Sequence, residues 1–164
     1  MTKVGLIWAQ NADRAIGLNG QMPWHIPEDL KHFNEVTSGS NVIMGRSTWF
    51  SLPERFRPLP NRRNMVLSSD PTFQIEGGEA FTSFELALAS VDSEWVWAMG
   101  GSRIYEIALP FASKIEVTQV NLPNIEADTF APVIPATFLK ITSKQEWLYS
   151  AKSNFEYKFE TYKK

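Results

Sequence analysis

The chain contains no cysteine and only two histidines. The missing thiols exclude a disulfide framework and a thiolate zinc centre. His25 and His32 have no serine, cysteine or further metal ligand at a useful spacing, and Glu28 with His32 would be a lone pair on one helix, so both read as surface or loop histidines and no metal site is expected. No apolar run is long enough to cross a bilayer, and Met1-Thr2-Lys3 leads directly into a strand pattern rather than a signal peptide. No membrane contact and a cytoplasmic location are therefore expected. An excess of one charge is also lacking: a net charge of −2 gives no overall footprint for nucleic acid or an anionic membrane. There is no repeat, low-complexity segment or interdomain linker, so the 164 residues read as one domain, 1–164. What is present is a hydrophobic fraction of 43%, enough for a sizeable core.

One stretch organises the rest, from Met22-Pro23-Trp24 through Pro27-Glu28-Asp29-Leu30 to Phe33. Proline has a fixed φ and no N–H to lose, so Pro27 suits the first position of a helix, and Ser38-Gly39 is a stop signal. At 3.6 residues per turn, Asp29, Phe33 and Val36 fall on one face, flanked by Leu30 and Thr37, while Glu28, Lys31 and Glu35 point elsewhere. A lone carboxylate buried on an apolar face costs several kcal/mol unless it is paired. Two readings stay open. Asp29 faces water in the first turn and favours the helix dipole, or it stands on a pocket wall awaiting a ligand with N–H donors. The loop-like Gly17-Leu18-Asn19-Gly20-Gln21, ending in Met22 and Trp24, resembles a lid over an apolar slot and tilts the balance to the second.

In chain order, Val4 to Ala9 and Asn41 to Gly45 are continuous apolar runs that predict strands buried on both faces. Asn64 to Ser68, Glu79 to Phe81 and Glu94 to Met99 predict further strands. Arg46 to Phe50, Ser83 to Ser90 (capped by Ser83) and Arg103 to Leu109 predict helices. Ile16 to Trp24, Leu52 to Pro60 and Asn121 to Pro135 read as loops. Lys114 to Val120 alternates, as do Leu139 to Glu146 and Phe155 to Tyr162, which read as a closing antiparallel hairpin around Ser150 to Asn154. The order predicts an α/β fold: a mostly parallel central sheet of about eight strands with an antiparallel C-terminal hairpin edge, flanked by about four helices. Ligands of such sheets bind beyond the C-terminal strand ends, here Ala9, Gly45, Ser68 and Gly100.

Two strand–turn–helix junctions there suit phosphate. Gly45-Arg46-Ser47-Thr48 offers a helix start, two hydroxyls and a guanidinium, and Gly100-Gly101-Ser102-Arg103 allows close backbone approach. Each alone is also an ordinary tight turn; together they suggest a ligand with more than one phosphate site. Ser68-Ser69 adds hydroxyl donors. Neither junction is a Walker loop or a G-x-G-x-x-G fingerprint. Arg62-Arg63 is either a solvated basic turn or a fork for a substrate carboxylate.

Ile7-Trp8-Ala9, Ile16-Gly17, Met22-Pro23-Trp24, Pro27-Glu28-Asp29-Leu30 with Phe33, Val42-Ile43-Met44-Gly45-Arg46 with Thr48-Trp49, Arg57-Pro58-Leu59-Pro60 with Arg62, Leu67-Ser68-Ser69, Gly100-Gly101 with Tyr105, and Asp128-Thr129 stand in the order of the dihydrofolate reductases. The chain resembles the bacterial single-domain form over almost its whole length. The resemblance implies NADPH-dependent reduction of 7,8-dihydrofolate to 5,6,7,8-tetrahydrofolate, with hydride transfer to pterin C6 and protonation of N5, in support of one-carbon metabolism. It also implies a cytoplasmic monomer that antifolates inhibit. Under it, Asp29 grips the pterin amino group and N3–H, Thr118 is its hydroxyl partner, and Met22 and Trp24 serve catalysis from the lid. Ile7, Trp8, Leu30, Phe33, Leu52 and Leu59 line the folate slot, and Arg62 forks onto the glutamate α-carboxylate. Ala9, Ile16, Gly17, Gly20 and Gln21 run along the nicotinamide end, with Met99 and Tyr105 shared between substrate and cofactor. Gly45, Arg46, Ser47, Thr48, Leu67, Ser68, Ser69, Gly101, Ser102 and Arg103 hold the pyrophosphate and adenosine phosphate, with Ile104 and Thr129 completing the cofactor set. The Gly100-Gly101 peptide is expected to be cis.

The chain departs from the family pattern in places. Ser102 replaces a third glycine, so its side chain must point away from the cofactor or donate to it. Asp70 brings negative charge near the expected 2′-phosphate site. Phe130-Ala131-Pro132 places alanine between the aromatic and the proline, and Gly20-Gln21 vary the lid. Two rival readings remain: a pyrimidine reductase of riboflavin synthesis, which needs neither an acid at Asp29 nor a fork at Arg62, and a non-catalytic nucleotide- or pterin-binding module.

Overall fold

A computed structural model of the protein describes residues 1–142 and 146–164. The first apolar run forms β1 (Lys3–Gln10), in which only Lys3 is exposed, at the centre of the sheet. The other strands of the main sheet are β3 (Asn41–Gly45), β4 (Arg63–Leu67), β5 (Glu79–Phe81), β6 (Trp95–Ala98), β7 (Ala112–Asn121), β9 (Leu139–Lys140), β10 (Leu148–Ser150) and β11 (Phe155–Lys163). Their order is β10-β11-β7-β1-β6-β3-β4-β5, with β9 also on β11. All pairings from β7 to β5 are parallel, and those of β11 with β7, β9 and β10 are antiparallel. The main sheet thus has nine strands against the eight expected.

The extra elements are short. A second sheet pairs β2 (Ala15–Gly17) with β8 (Thr129–Phe130), inside segments that read as loops. The C-terminal hairpin is real, but its first arm is β10 rather than Leu139 to Glu146. Of that expected arm, only Leu139–Lys140 is strand, and residues 143–145 lie outside the described residues.

Four helices flank the sheet: α1 (Pro27–Thr37), α2 (Arg46–Ser51), α3 (Phe84–Ala89) and α4 (Ser102–Ala108). Pro27 opens α1 as its torsional constraint dictates, and the Ser83 hydroxyl caps α3 by accepting from the Leu86 N–H. No described helix is long and apolar enough to cross a membrane. Three apolar clusters hold the layers together. One spans β1, β6, β7 and α4; a second packs Phe33 and Val36 of α1 on Ile7, Trp49 and Trp97; a third gathers Trp24, Ile26, Val120 and Tyr157. The last two wedge α1 against β1 and β7, which fixes where its side chains emerge.

Candidate active site

Asp29 lies in the first turn of α1, partly buried against β7. Thr118 of β7 donates its hydroxyl to Asp29 Oδ1 at 2.6 Å. Burial raises the carboxyl above the ordinary aspartate value; the Thr118 bond and the nearby His32 ring pull the other way without overcoming it. No lysine or arginine salt-bridges it among the described residues. The sequence left open whether this group faces water; the structure leaves it partly buried, on the hydroxyl of Thr118. Among the described residues its one side-chain hydrogen bond, from Thr118, reaches Oδ1 and leaves Oδ2 without a side-chain donor.

Around it stand the expected slot residues. Ile7 is buried in β1; Phe33, Leu52, Leu59 and Met99 pack partly buried on the same cluster, and Leu30 stays half exposed. Tyr105 of α4 is buried against Trp8 and donates its hydroxyl to the Ile7 carbonyl at 2.7 Å. Burial, then the charge of Asp29, hold its phenol far above its ordinary value, so it acts only as a donor. Nothing in the sequence announced that bond, which pins α4 to the strand below the slot. It also explains Gly100, whose φ is +114° and where a Cβ would come within 3.1 Å of the Tyr105 hydroxyl.

The lid divides sharply. Met22 is 49% exposed, whereas Trp24 is 6% exposed and its Nε1–H finds no acceptor among the described residues. A buried indole N–H left unpaired is costly, so it marks a place for a ligand or water. Ile16 and Gly17 lie in β2. Gly17 accepts from the Asp128 N–H, and Asp128 accepts from the Asn19 N–H at 3.0 Å and from the Thr129 hydroxyl. Gly20 and Gln21 form the exposed tip, closed by Leu18 and Gln21 exchanging backbone bonds. At the lid's base, buried Asn11 accepts from the Asp13 and Ala15 N–H groups, and Arg14 donates to the Ala131 carbonyl. Ala131, inserted between Phe130 and Pro132, is thereby used as a buried anchor.

Beyond the strand ends, Gly45 and Gly100 adjoin because β3 pairs with β6, and the Gly45 N–H donates to the Gly100 carbonyl at 2.9 Å. Gly45 is also in register with Leu67 of β4, so Leu67, Ser68 and Ser69 form the third corner. The Gly100-Gly101 peptide is cis. A Cβ on Gly101 would lie 3.8 Å from Thr48 Oγ1, so the starts of α2 and α4 stand side by side. Ser102 and Arg103 start α4, Ser47 and Thr48 sit in α2, and Ile104 is buried beneath, 3.2 Å from where a Gly45 Cβ would stand. The Arg46 guanidinium packs over Phe73 and Phe50, with carbon-to-centroid distances of 4.5 and 5.9 Å. Asp70, the charge beside it, is turned back on its own loop: Oδ1 accepts from the Thr72 hydroxyl and N–H, which holds the carboxyl below its ordinary value.

The Arg62-Arg63 pair separates. Arg63 is bidentate to Glu79, at 2.5 and 2.9 Å, and is spent on structure. Arg62 crosses the C-terminal half of α1: Nε donates to the Pro60 carbonyl, Nη1 to Asn34 and Thr37, and the group lies over the Phe33 ring. Among the described residues Nη2 has no hydrogen bond, so the fork is oriented yet keeps a donor. One histidine corrects the sequence reading. His32 is not a loop residue; it stacks on Phe159 at 4.0 Å with Nε2 buried and unpartnered.

A mostly parallel sheet whose strand ends gather Gly45, Leu67 and Gly100 beside the starts of two helices, with a partly buried carboxylate free of salt bridges among the described residues, has the layout of a nucleotide-dependent reductase. Comparison with known proteins gives the particular family. Residues 3–164 match the family model described as dihydrofolate reductase. The chain is 45% identical over 164 residues to the dihydrofolate reductase of Mycobacterium tuberculosis (99% of this chain, 98% of the relative) and 46% identical over 165 residues to that of Mycobacterium leprae. It superposes with a TM-score of 0.88 and 33% identity on a solved Enterococcus faecalis dihydrofolate reductase complexed with NADP(H), covering 98% of this chain and 95% of that one. The chain belongs to the dihydrofolate reductase family and is an NADPH-dependent oxidoreductase acting on dihydrofolate.

Proposed function

We propose that residues 1–164 work as one catalytic domain, a monomer in the cytoplasm, in which Asp29 anchors the pterin of 7,8-dihydrofolate and the lid from Ile16 to Trp24 closes the site. The observation that carries this reading is the Asp29–Thr118 pair, a partly buried carboxylate with one hydroxyl partner and no salt-bridging cation. Ile7, Trp8, Leu30, Phe33, Leu52 and Leu59 hold the ring and benzoyl parts, Arg62 the glutamate α-carboxylate, and Met99 and Tyr105 the boundary with the cofactor. The bare backbone at Gly45, Gly100 and Gly101, where a Cβ on Gly45 would press on Ile104 and one on Gly100 on the Tyr105 hydroxyl, suits a pyrophosphate approached by backbone. Arg46, Ser47, Thr48, Leu67, Ser68, Ser69, Ser102, Arg103 and Ile104 surround the adenosine end, and Ala9, Gly17, Gly20, Gln21 and Thr129 the nicotinamide end. When bound, NADPH supplies the hydride that the pterin receives at C6.

The chain's own residues supply orientation, charge and the control of water. Holding the pterin edge-on at Asp29 fixes which ring face meets the cofactor. A carboxylate on the amino–N3 edge polarises the ring and makes N5 more basic. Asp29 touches the far edge of the ring, so the N5 proton comes from water admitted past Met22, with Trp24 Nε1 free to hold a water or ligand oxygen. Lid closure excludes bulk water and strengthens that polarisation. The Asp29→Asn variant keeps shape and removes charge. Dihydrofolate turnover at neutral pH, followed by loss of NADPH absorbance, is expected to fall about a hundredfold or more and to recover partly at acidic pH, where substrate arrives protonated. Unchanged turnover at neutral pH would remove the anchor role.

A further inference from the structure

Asn64 stands in β4, in register with Val42 of β3, and is 3% exposed. The strand continues as Met65-Val66-Leu67, all buried, and asparagine is among the residues that strands disfavour, so local preference does not account for it. A buried amide must also find partners or cost stability. Asn64 finds three, all on the loop that leads into its own strand. Its Oδ1 accepts from the Leu59 N–H at 2.9 Å, and its Nδ2 donates to the carbonyls of Leu59 and Arg62, both at 3.0 Å. The side chain thus pairs with Leu59 as a facing residue of a sheet does, through one donor and one acceptor.

These bonds bracket the turn that aims Arg62. Between Leu59 and Arg62 stand Pro60 and Asn61. The Pro60 carbonyl accepts from Arg62 Nε at 2.9 Å. Asn61 ties the turn to the end of α1: its carbonyl accepts from the Gly39 N–H at 2.8 Å, and its Nδ2 donates to Ser38 Oγ at 2.9 Å. From α1 itself, Asn34 and Thr37 accept from Arg62 Nη1 at 2.8 and 2.9 Å. The guanidinium is therefore aimed from two sides, by the helix and by the Pro60 carbonyl. Asn64 carries the second of these to the sheet. Leu59, gripped at its N–H and its carbonyl, packs on the cluster of Ile7, Trp49 and Trp97 beside the slot.

We infer that Asn64 is a positioning residue for the glutamate tail of the substrate: it holds the turn from Leu59 to Arg62 so that the Arg62 guanidinium meets the α-carboxylate already oriented. A free arginine side chain surrenders rotamer freedom when it binds, and one fixed beforehand does not, so a rigid mount becomes affinity. Asn64 acts through Arg62. It sets discrimination by the tail and not by the pterin. The inference rests on Arg62 as the carboxylate fork, and the experiment separates the two.

The test compares dissociation constants of 7,8-dihydrofolate and 7,8-dihydropteroate, which differ only in the glutamate, for the wild type, Asn64→Ala, Arg62→Ala and the double variant. Asn64→Ala is expected to cut the preference for dihydrofolate about tenfold. It should add nothing to the loss in Arg62→Ala, because the two residues act in series. Equal weakening of both ligands, or losses that add in the double variant, overturn the inference and leave the amide a structural support. A preference lost in Arg62→Ala and kept in Asn64→Ala overturns it alone. A preference kept in Arg62→Ala removes the fork, and the inference with it.

Hydrogen exchange in the wild type gives a second reading that needs no variant to fold. Where opening of the Leu59–Asn64 bonds disables the fork, a ligand that uses the fork must slow exchange of the Leu59 amide. Protection of that amide is expected to rise with dihydrofolate concentration well beyond its rise with dihydropteroate. An equal response to both ligands, or none to either, overturns the inference.

Discussion

Asp29 costs the free protein stability, a cost that the proposed pterin-anchoring role would explain. Its folded-state titration lies above the unfolded value because burial disfavours the charge. The native state therefore binds the proton more readily than the unfolded chain, and the ionised group is a penalty that is fully present above the raised value and vanishes as pH falls to the ordinary aspartate range. Asp29→Asn is accordingly expected to melt at a higher temperature than the wild type at pH 7 and at nearly the same temperature near pH 3.5, measured by thermal denaturation without ligand. Arg62 is the opposite kind of residue, oriented in advance by Pro60, Asn34 and Thr37. Truncating it to alanine removes charged hydrogen bonds of about 2 kcal/mol, or about thirtyfold in affinity. Dissociation constants should show that loss for folates and little change for pterin ligands without the glutamate tail. Equal losses would contradict the fork.

Among the elements, the segment proposed as the lid, Ile16 to Trp24, is tied down by hydrogen bonds around Asp128. Its free arm meets β8 through Asp128, which accepts from Asn19 and Thr129 while its backbone donates to Gly17. Asp128→Ala keeps the backbone bond and removes the side-chain ones. A loss of about 1 kcal/mol shifts the closed population about fivefold. Turnover should fall by about that factor while thermal stability stays near the wild-type value, since no core residue changes. A variant that loses stability and activity together would make the contact structural rather than a latch. The helix α1 shows how an element with ordinary propensities becomes functional. Its proline start and apolar face come from local chemistry, but the distance from Asp29 to Thr118 is set by Phe33, Val36 and Ile26 wedged against β1 and β7.

Across the whole molecule, the antiparallel edge is fastened by an ion pair whose carboxylate is buried and whose lysine reaches the surface. Glu160, 4% exposed, accepts from Lys140 at 2.8 Å and from Gln119 at 2.9 Å. Burial raises its carboxyl, but the bonds from Lys140, Gln119 and Tyr162 outweigh it and hold the group below the ordinary glutamate value. Its contribution is therefore complete above about pH 4.5 and drains as pH falls through the lowered native value. Glu160→Gln should be less stable by about 2 kcal/mol at pH 7. In urea titrations from pH 7 to pH 3.5, the wild type should lose its advantage below pH 4.5 and converge on the variant.

The residues alone determined the strand–helix alternation, the buried central strands, the limits of α1 and the junctions at Gly45 and Gly100. Each depends on hydrophobic period, proline or glycine, which act over a few neighbours. They did not reveal β2 or β8, because strands of two and three residues exist only through a partner far along the chain, nor β10, whose three residues are too few to show a period. Nor did they show that Arg63 belongs to Glu79, that Tyr105 ties α4 to Ile7, or that His32 stacks on Phe159. A single sequence lists which groups could bear charge. Which of them lose water, and which opposite charge lies near enough to answer, is decided only when strands distant in the chain are packed face to face with a helix.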